Sequence, residues 1–532
     1  MYAGRHRKDV NNLSFRRWAP ITIAMLIVMS GIAYAAVPAT SNDAQTFKEV
    51  CQAALKGTLS SSDRTWAQRC VRVGAEGSRI LSITPTPSAS ASPSPSVSPS
   101  PSASPSISPS PSASPSPSPS LSPSPSPSPS PSPSPTPSPS PTSPPPPPPF
   151  PVTLRLADGG TNPFGTLSPA LPNANTFLPI TVWFESVLST GNTTIDKDAG
   201  LNVYEVITSN SDLALIQSAG MFVLPQQDQW LGGTAGRESG WFMDDEVDMI
   251  LGPGAGYTHM QTIEDRLPPN ALQVVNYGKG ILFWETNAEA ARFVNDWGHV
   301  VSADAYWMTD PNICGISEGA VLFGLNRALT QAECHRPSNY GLSVQRVRDL
   351  NNPSGSKPTW GFIEVGCPMT GAGATCIQPV AITAGVWHSI IAGARGMSYF
   401  NHSFSGGCIT QHALREVCYA PQRAAVKAVN SRLMSLAPVI NGPFADGLIP
   451  AEPIGMRTMT KWHDGHFYIF AGKIAAGSST PNFFMPCLGD ATATVLDESR
   501  SIPITGGSFT DTFDNEYAVH VYRIDGGSTC GL

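Results

Sequence analysis

The chain lacks several patterns that would place it in a common functional class. Its ten cysteines include no Cys-x-x-Cys pair, which argues against a zinc site of the usual spacing. No second apolar run is long enough to cross a bilayer. The formal net charge is −7, so the basic face that nucleic-acid binding requires is missing. We therefore expect no metal, no cofactor and no nucleic-acid partner.

The N-terminus, residues 1–42, predicts export. Five basic residues and one acidic residue, Asp9, precede an apolar run that ends in Ala33-Tyr34-Ala35-Ala36. A basic region, an apolar region and an Ala-x-Ala site are typical of a signal peptide. The same run is also long enough to stay in the membrane as an anchor. On both interpretations the rest of the chain lies outside the cytoplasmic membrane of a bacterium.

The cysteine count agrees with export. Ten cysteines pair locally in sequence order without remainder, and an even number in an exported chain predicts disulfides. The expected pairs are Cys51/Cys70, Cys314/Cys334, Cys367/Cys376, Cys408/Cys418 and Cys487/Cys530.

Two N-terminal segments precede the main body. Residues 43–83 predict a small helical segment that a Cys51–Cys70 bridge would stabilise, since so short a segment needs a cross-link to fold. Residues 84–150 are almost pure Ser-Pro repeat and offer no apolar side chains for a core. We interpret them as a disordered, extended linker.

Residues 151–445 alternate strand-like and helix-like patterns, which indicates parallel strands with helical crossovers. Eight such strands match a (β/α)8 TIM barrel. An open doubly wound sheet is the alternative, although no Gly-rich phosphate turn follows the first strand. The predicted strands are 178–184, 201–208, 221–225, 240–245, 272–277, 300–306, 359–365 and 396–401.

Residues 446–532 change in character to short alternating strands separated by glycine turns. We expect strands at 456–462, 466–470, 492–496 and 518–524. Turn signals at this spacing predict a small C-terminal β-sandwich domain. The whole exported part is expected to be monomeric.

Two barrel strands end in carboxylates. Trp241-Phe242-Met243-Asp244-Asp245-Glu246 closes the fourth predicted strand, and Trp360-Gly361-Phe362-Ile363-Glu364 closes the seventh. Alternation places Ile363 toward the helices and Glu364 toward the barrel mouth, while the fourth strand needs a local bulge. Strand ends of a parallel barrel meet at its C-terminal rim, and a pair of carboxylates that face each other there is sufficient to cleave a glycosidic bond. Taken alone, such an acidic triplet is usually a helix cap.

At these residues the chain resembles the large clan of (β/α)8 retaining glycoside hydrolases, as a divergent secreted bacterial member. The similar phrases are Phe242–Asp248 and Gly393–Phe400, and the stretch 506–511 is similar to the β-domains that often follow such barrels. The resemblance implies that Glu246 is the acid/base and Glu364 the nucleophile. The clan usually places Asn before the acid/base, where this chain has Asp245.

Further residues near predicted strand ends are candidates for substrate binding. Aromatic rings stack on sugars, although most aromatics in a barrel belong to the core. Asp304 and Asp310 are interpreted as solvated loop acids. The substrate-binding candidates are Asp245, Trp183, Tyr306, His402 and Tyr399.

The resulting hypothesis is a retaining glycoside hydrolase that cleaves an extracellular or envelope polysaccharide. The alternative is a non-catalytic carbohydrate-binding or adhesion protein displayed on a Ser/Pro stalk, because fold alone does not decide function.

Overall fold

The computed structural model describes residues 151–532. The predicted signal or anchor, the segment 43–83 with its Cys51–Cys70 bridge and the Ser/Pro linker lie outside the described residues. No helix within residues 151–532 is both long and apolar enough to cross a membrane.

Eight parallel strands form a barrel, in the spatial order β4-β3-β2-β9-β8-β7-β6-β5. A parallel bridge between Gln226 and Phe242 joins the two outermost strands. The predicted TIM barrel is therefore confirmed, and the open-sheet alternative is wrong. The strands are β2 Ile180–Glu185, β3 Val203–Ile207, β4 Phe222–Leu224, β5 Trp241–Asp245, β6 Gln273–Tyr277, β7 Val300–Ala303, β8 Thr359–Glu364 and β9 Met397–Phe400.

Helices connect the barrel strands along the outside. One of them starts at a capping box, in which the Thr286 hydroxyl accepts from the Glu289 N–H and the Glu289 carboxylate accepts from the Thr286 N–H. The helices are α1 Thr190–Asp198, α2 Leu213–Ser218, α3 Gln227–Trp230, α4 Val247–Ile250, α5 Ala255–Glu264, α6 Asn287–Asp296, α7 Gly319–Leu322, α8 Gln331–Cys334, α9 Ser338–Leu350, α10 Pro379–Ile391 and α11 Ala420–Ile440. A π-helical turn covers Gly280–Trp284, and 3-10 turns cover Ala413–Arg415, Val417–Tyr419 and Ser528–Cys530.

Strand alternation divides the barrel into an inner and an outer core. Trp360 and Phe362 pack inside with Trp183, whereas Ile363 and Val365 pack against the helices. The alternation predicted for the seventh barrel strand is confirmed. Burying these side chains supplies the main free energy that closes the barrel.

One carboxylate lies inside this apolar interior. Glu205 of β3 is fully buried and accepts hydrogen bonds from the hydroxyls of Thr181, at 2.6 Å, and Ser398, at 2.7 Å. Its Oε1 has no hydrogen-bond partner among the described residues. Burial raises the pKa of Glu205 from 4.5 to about 7.

A second, antiparallel sheet carries its own core. Its order is β1-β10-β11-β12-β17-β14-β15, and a separate pair, β13 and β16, packs over it. Phe483 stacks on Phe509 with centroids 4.8 Å apart. The strands are β1 Thr153–Arg155, β10 Phe444–Asp446, β11 Met456–His463, β12 His466–Lys473, β13 Asn482–Phe484, β14 Ala491–Val495, β15 Arg500–Ile504, β16 Ser508–Thr510 and β17 Val519–Asp525.

The barrel and the antiparallel sheet are connected through β1 and the barrel helices. β1 pairs with β10, so the antiparallel sheet takes one strand from before the barrel. Asp158, just after β1, forms an ion pair with Arg348 of α9 at 2.5 Å. The predicted boundary between residues 445 and 446 falls inside β10, and the domain limits stay predictions.

Four predicted disulfides are present: Cys314–Cys334, Cys367–Cys376, Cys408–Cys418 and Cys487–Cys530. Three of them close loops at the carboxyl ends of barrel strands, and the fourth ties the end of the antiparallel sheet. Disulfides of this number suggest an oxidising environment.

We predict that Glu205→Gln stabilises the protein increasingly as the pH rises. Burial of this carboxyl does not lower the free energy of unfolding below its unfolded pKa of 4.5, where the group is protonated in both states. Above its folded pKa of about 7, burial lowers the free energy of unfolding by the full amount that corresponds to the pKa shift. The stability difference from wild type should therefore grow by about 3 kcal/mol across that window. Denaturant unfolding at both ends measures it. Glu416→Gln on the surface is the control and should show no comparable growth; a pH-independent difference for Glu205→Gln would contradict the prediction.

Candidate active site

Carboxylates from three barrel strands collect at the rim where the parallel strands end. Glu246 follows β5, Asp304 follows β7 and Glu364 is the last residue of β8. Because all eight strands run in the same direction, their carboxyl ends open onto one mouth. The two predicted catalytic residues therefore lie on the same rim.

Glu246 has an unusual backbone conformation. Its φ of 48° and ψ of 30° are left-handed, a region that costs a residue with a side chain about 1–2 kcal/mol. The strand register shifts between Phe242 and Asp245, which confirms the predicted bulge. The Glu246 N–H donates to the Asn276 carbonyl at 3.0 Å. Strain of this kind at a strand end is typical of functional residues.

Asp248 holds the next loop against this turn. Its carboxylate accepts from the N–H groups of Gly278, at 3.0 Å, and Ile281, at 2.8 Å. The approach is close, since a Cβ at Gly278 would lie 3.1 Å from the Glu246 Cγ and 2.3 Å from the Met249 Sδ. A side chain at Gly278 would require Met249 to move, so the loop after β6 packs closely against Glu246.

A hydrogen-bonded network links the acidic residues of three strands. The Asn276 amide donates to Asp245, at 3.0 Å, and to Asp304, at 3.2 Å. The Ser302 hydroxyl fixes the amide by donating to its oxygen at 2.7 Å. Tyr306 donates its hydroxyl to Asp304. Asn276 thereby brings two carboxylates together beside Glu246.

Several acidic side chains crowd around Glu246. Burial, followed by Asp304 and Asp245, raises the pKa of Glu246 well above 4.5. Lys279 opposes this effect, but it already pairs with Asp310, at 2.6 Å, and Glu318, at 2.7 Å. Glu246 therefore keeps its proton above the range in which a free glutamic acid loses it.

Glu364 is completely buried and hydrogen-bonded on both oxygens. Tyr340 of α9 donates to Oε2 at 2.7 Å, and Thr309 and the Met308 N–H donate to Oε1 at 3.1 and 3.2 Å. Burial raises the pKa of Glu364 to about 7, although the three donors lower it. The segment that carries Met308 and Thr309 covers the carboxylate.

Tyr306 and His402 both lie at the rim. The half-buried Tyr306 ring is 5.2 Å from Phe400, which belongs to the inner core. His402 is 4% exposed and contacts the Phe184 carbonyl through Nε2 at 3.2 Å. Burial lowers the pKa of His402 to about 4, so its ring is neutral at pH 7. The hydrogen bond of this histidine goes to the backbone, not to Glu364.

Two other predicted substrate-binding residues are not brought to the mouth. Trp183 is 5% exposed and packs inside the barrel between Phe242 and Phe362, at 5.0 and 5.6 Å. Tyr399 is fully buried on the helix-facing side, where its hydroxyl donates to Asn430 of α11 at 2.7 Å. Both side chains stabilise the barrel.

Some residues were misjudged or missed by sequence reasoning. The interpretation of Asp304 and Asp310 as solvated loop acids is wrong, because they are 6% and 3% exposed and hydrogen-bonded or ion-paired. Asp304 lies near the end of the predicted strand 300–306 and Asp310 follows it, which was a usable signal. Tyr340 was missed because it lies on a crossover helix far from any strand end.

Two further patterns do not form sites. Gly315-Ile316-Ser317-Glu318-Gly319 matches the Gly-x-Ser-x-Gly motif of serine hydrolases, but turns precede it where that motif needs a strand. Cys314, Cys334 and His335 have metal-ligating atoms within 4.8 Å of one another. The two sulfurs are joined in a disulfide and are not available as thiolates.

Comparisons with known proteins return only solved structures of low similarity. No family model matches the chain, and no curated protein matches it. Similar solved structures include a glycoside hydrolase at 12% identity and TM-score 0.42, covering 66% of this chain and 93% of that one. A glycoside hydrolase family 5 protein from Bacteroides vulgatus has 10% identity and TM-score 0.40, with 66% and 90% covered. The α-amylase from Geobacillus thermoleovorans has 8% identity and TM-score 0.40, with 65% and 98% covered.

We predict that Glu246→Gly is more stable than Glu246→Ala by about 1 kcal/mol, because only glycine adopts a left-handed φ without strain. Both variants remove the carboxylate, so the comparison isolates the backbone. Denaturant unfolding of the two proteins measures the difference. Equal stability, or a more stable alanine variant, would show that residue 246 is unstrained.

Proposed function

We propose that this chain is a retaining glycoside hydrolase that acts on an extracellular or envelope polysaccharide. The observation that carries the proposal is the strained Glu246, held at the end of β5 on the rim that also bears Glu364. Carboxylates on these two strands are the pair that the family resemblance implies. The low-identity structural matches add nothing to the residue assignment.

Glu246 is the proposed general acid and base. A general acid must hold its proton at the working pH, and the raised pKa of Glu246 meets that need. In the first step it would donate this proton to the glycosidic oxygen as the leaving group departs. In the second step its carboxylate would take a proton from the attacking water.

Glu364 is the proposed nucleophile. One of its oxygens would bond to the anomeric carbon while the glycosidic bond breaks, and water would later release the sugar and restore the carboxylate. The donors from Tyr340 and Thr309 hold the carboxylate in one orientation. Since Glu364 is fully buried, substrate binding must shift the Met308–Thr309 backbone to expose it.

The remaining rim residues are proposed to bind the sugar. Asp245 and Tyr306 lie beside Glu246 and can hydrogen-bond to hydroxyl groups. His402 is neutral at pH 7, so it can bind a hydroxyl without adding charge. We propose that the enzyme acts outside the cell as a monomer, released or anchored by its N-terminus.

The alternative function, carbohydrate binding without catalysis, also has an observation in its favour. Glu364 is fully buried, whereas a nucleophile must reach its substrate. On this alternative, the mouth binds a glycan and the segment over Glu364 stays closed.

Activity on a panel of neutral polysaccharides and bacterial envelope glycans decides between the two functions. We expect sugar release by the wild-type protein and a loss of at least about a thousandfold in Glu246→Gln and Glu364→Gln, since each removes a group that acts in the transition state. Glu416→Gln is the matched surface control and should retain full activity. Binding without release, undiminished in the two glutamine variants, would establish the non-catalytic function.

The pH profile tests the roles separately. Because Glu364 must be ionised, kcat/KM should fall as the pH drops below its pKa of about 7. Tyr340→Phe removes one donor to the charged form, so the acidic limb should move to higher pH by about one unit with little change in KM. An acidic limb unchanged by Tyr340→Phe would exclude Glu364 as the group that must ionise.

A further inference from the structure

A short segment after β7, residues 306–311, forms a lid over Glu364. The Glu364 side chain is fully buried, and its Oε1 accepts from the Met308 N–H at 3.2 Å and from the Thr309 hydroxyl at 3.1 Å. A substrate atom cannot reach a carboxylate that is buried in this way. The lid therefore has to open at Met308 and Thr309 before Glu364 can react.

The lid is anchored on both sides of Met308 and Thr309. On one side, Trp307 is fully buried, and both its indole N–H and its carbonyl are hydrogen-bonded. On the other side, the buried Asp310 forms an ion pair with Lys279 at 2.6 Å. Because these two anchors are buried, the smallest opening movement leaves them in place and displaces only Met308 and Thr309.

A hydrogen bond from a neighbouring loop holds the middle of the lid. The Thr375 hydroxyl donates to the Met308 carbonyl at 2.6 Å. Thr375 is exposed, so water competes for its hydroxyl and the net contribution of this bond is modest. The bond can therefore break locally while the barrel stays folded.

The loop that carries Thr375, residues 366–377, is fixed against the lid. It follows β8, and the Cys367–Cys376 disulfide closes it. The loop meets the lid at a second point, where a Cβ at Gly373 would lie 3.3 Å from the Pro311 Cβ. The covalent closure and this close approach together set the position of the Thr375 hydroxyl.

We propose that Thr375 is a positioning residue that holds the lid closed over Glu364, and that loss of its hydrogen bond to Met308 opens the mouth to this carboxylate. The inference rests on the proposed function in taking Glu364 as the nucleophile, but the opening of the lid can be measured without catalysis. Access to Glu364 is then limited by the fraction of molecules in which the lid is open.

Amide hydrogen exchange of the purified full chain, resolved at Met308, tests the proposal, because the Met308 N–H is the group that donates to Glu364. Thr375→Val removes the hydroxyl and keeps the branched shape, whereas Thr375→Ser keeps a hydroxyl. Thr194→Val is the matched control, since the exposed Thr194 hydroxyl also donates to a main-chain carbonyl, at 2.7 Å. Amides of β6 report on the stability of the whole barrel.

We expect exchange at Met308 to become about two- to tenfold faster in Thr375→Val, which corresponds to the loss of one hydrogen bond. Exchange should stay at the wild-type rate in Thr375→Ser and Thr194→Val, and the amides of β6 should not change. On a glycan that the wild-type protein cleaves, kcat/KM of Thr375→Val should rise by a similar factor.

Unchanged exchange at Met308 in Thr375→Val, or an equal acceleration throughout β6, overturns the role of Thr375 in holding the lid. Faster exchange together with a lower kcat/KM also overturns the inference, because opening would then remove Glu364 from its working position. Faster exchange confined to the lid, in a protein that releases no sugar, supports the lid while rejecting the proposed catalysis.

Discussion

The left-handed turn at Glu246 is the constraint on which the rim of the barrel depends. It is held by the hydrogen bond from the Glu246 N–H to the Asn276 carbonyl and by the bulge at the end of β5. Without the turn, the chain would continue along the strand, and the carboxylate would not lie beside Asp245 and Asp304. Closure of the barrel, driven by its inner apolar core, supplies the energy that keeps this strained residue in place.

The barrel also buries several carboxyl groups. Asp304, Glu364 and Glu205 are all inside or at the mouth of the barrel, and burial raises each of their pKa values to about 6 or 7. Each carboxylate accepts hydrogen bonds from hydroxyl or amide groups, which limits the cost of burial. The protein thus gives up stability at neutral pH and gains carboxyl groups that titrate there. That is the behaviour expected of acid–base chemistry.

Much of the fold could be predicted from the sequence because its signals are local. All eight barrel strands, the bulge before Glu246 and four disulfides follow from alternation, turn residues and cysteine order. The donors to Glu364 could not be predicted, since Tyr340 is brought to it by packing of α9 against β8. Trp183 and Tyr399 were misplaced for a related reason. Proximity to a strand end does not determine which face a side chain occupies: alternation turns Trp183 into the barrel and Tyr399 toward the helices.

The stereochemistry of the first product tests the central claim most directly. With a glycan that the wild-type protein cleaves, proton NMR in the first minutes of reaction shows which anomer forms before mutarotation. Two carboxylates acting through a covalent intermediate on Glu364 predict retention of configuration. Inversion would contradict the account, because water would then attack directly and Glu364 would not be the nucleophile.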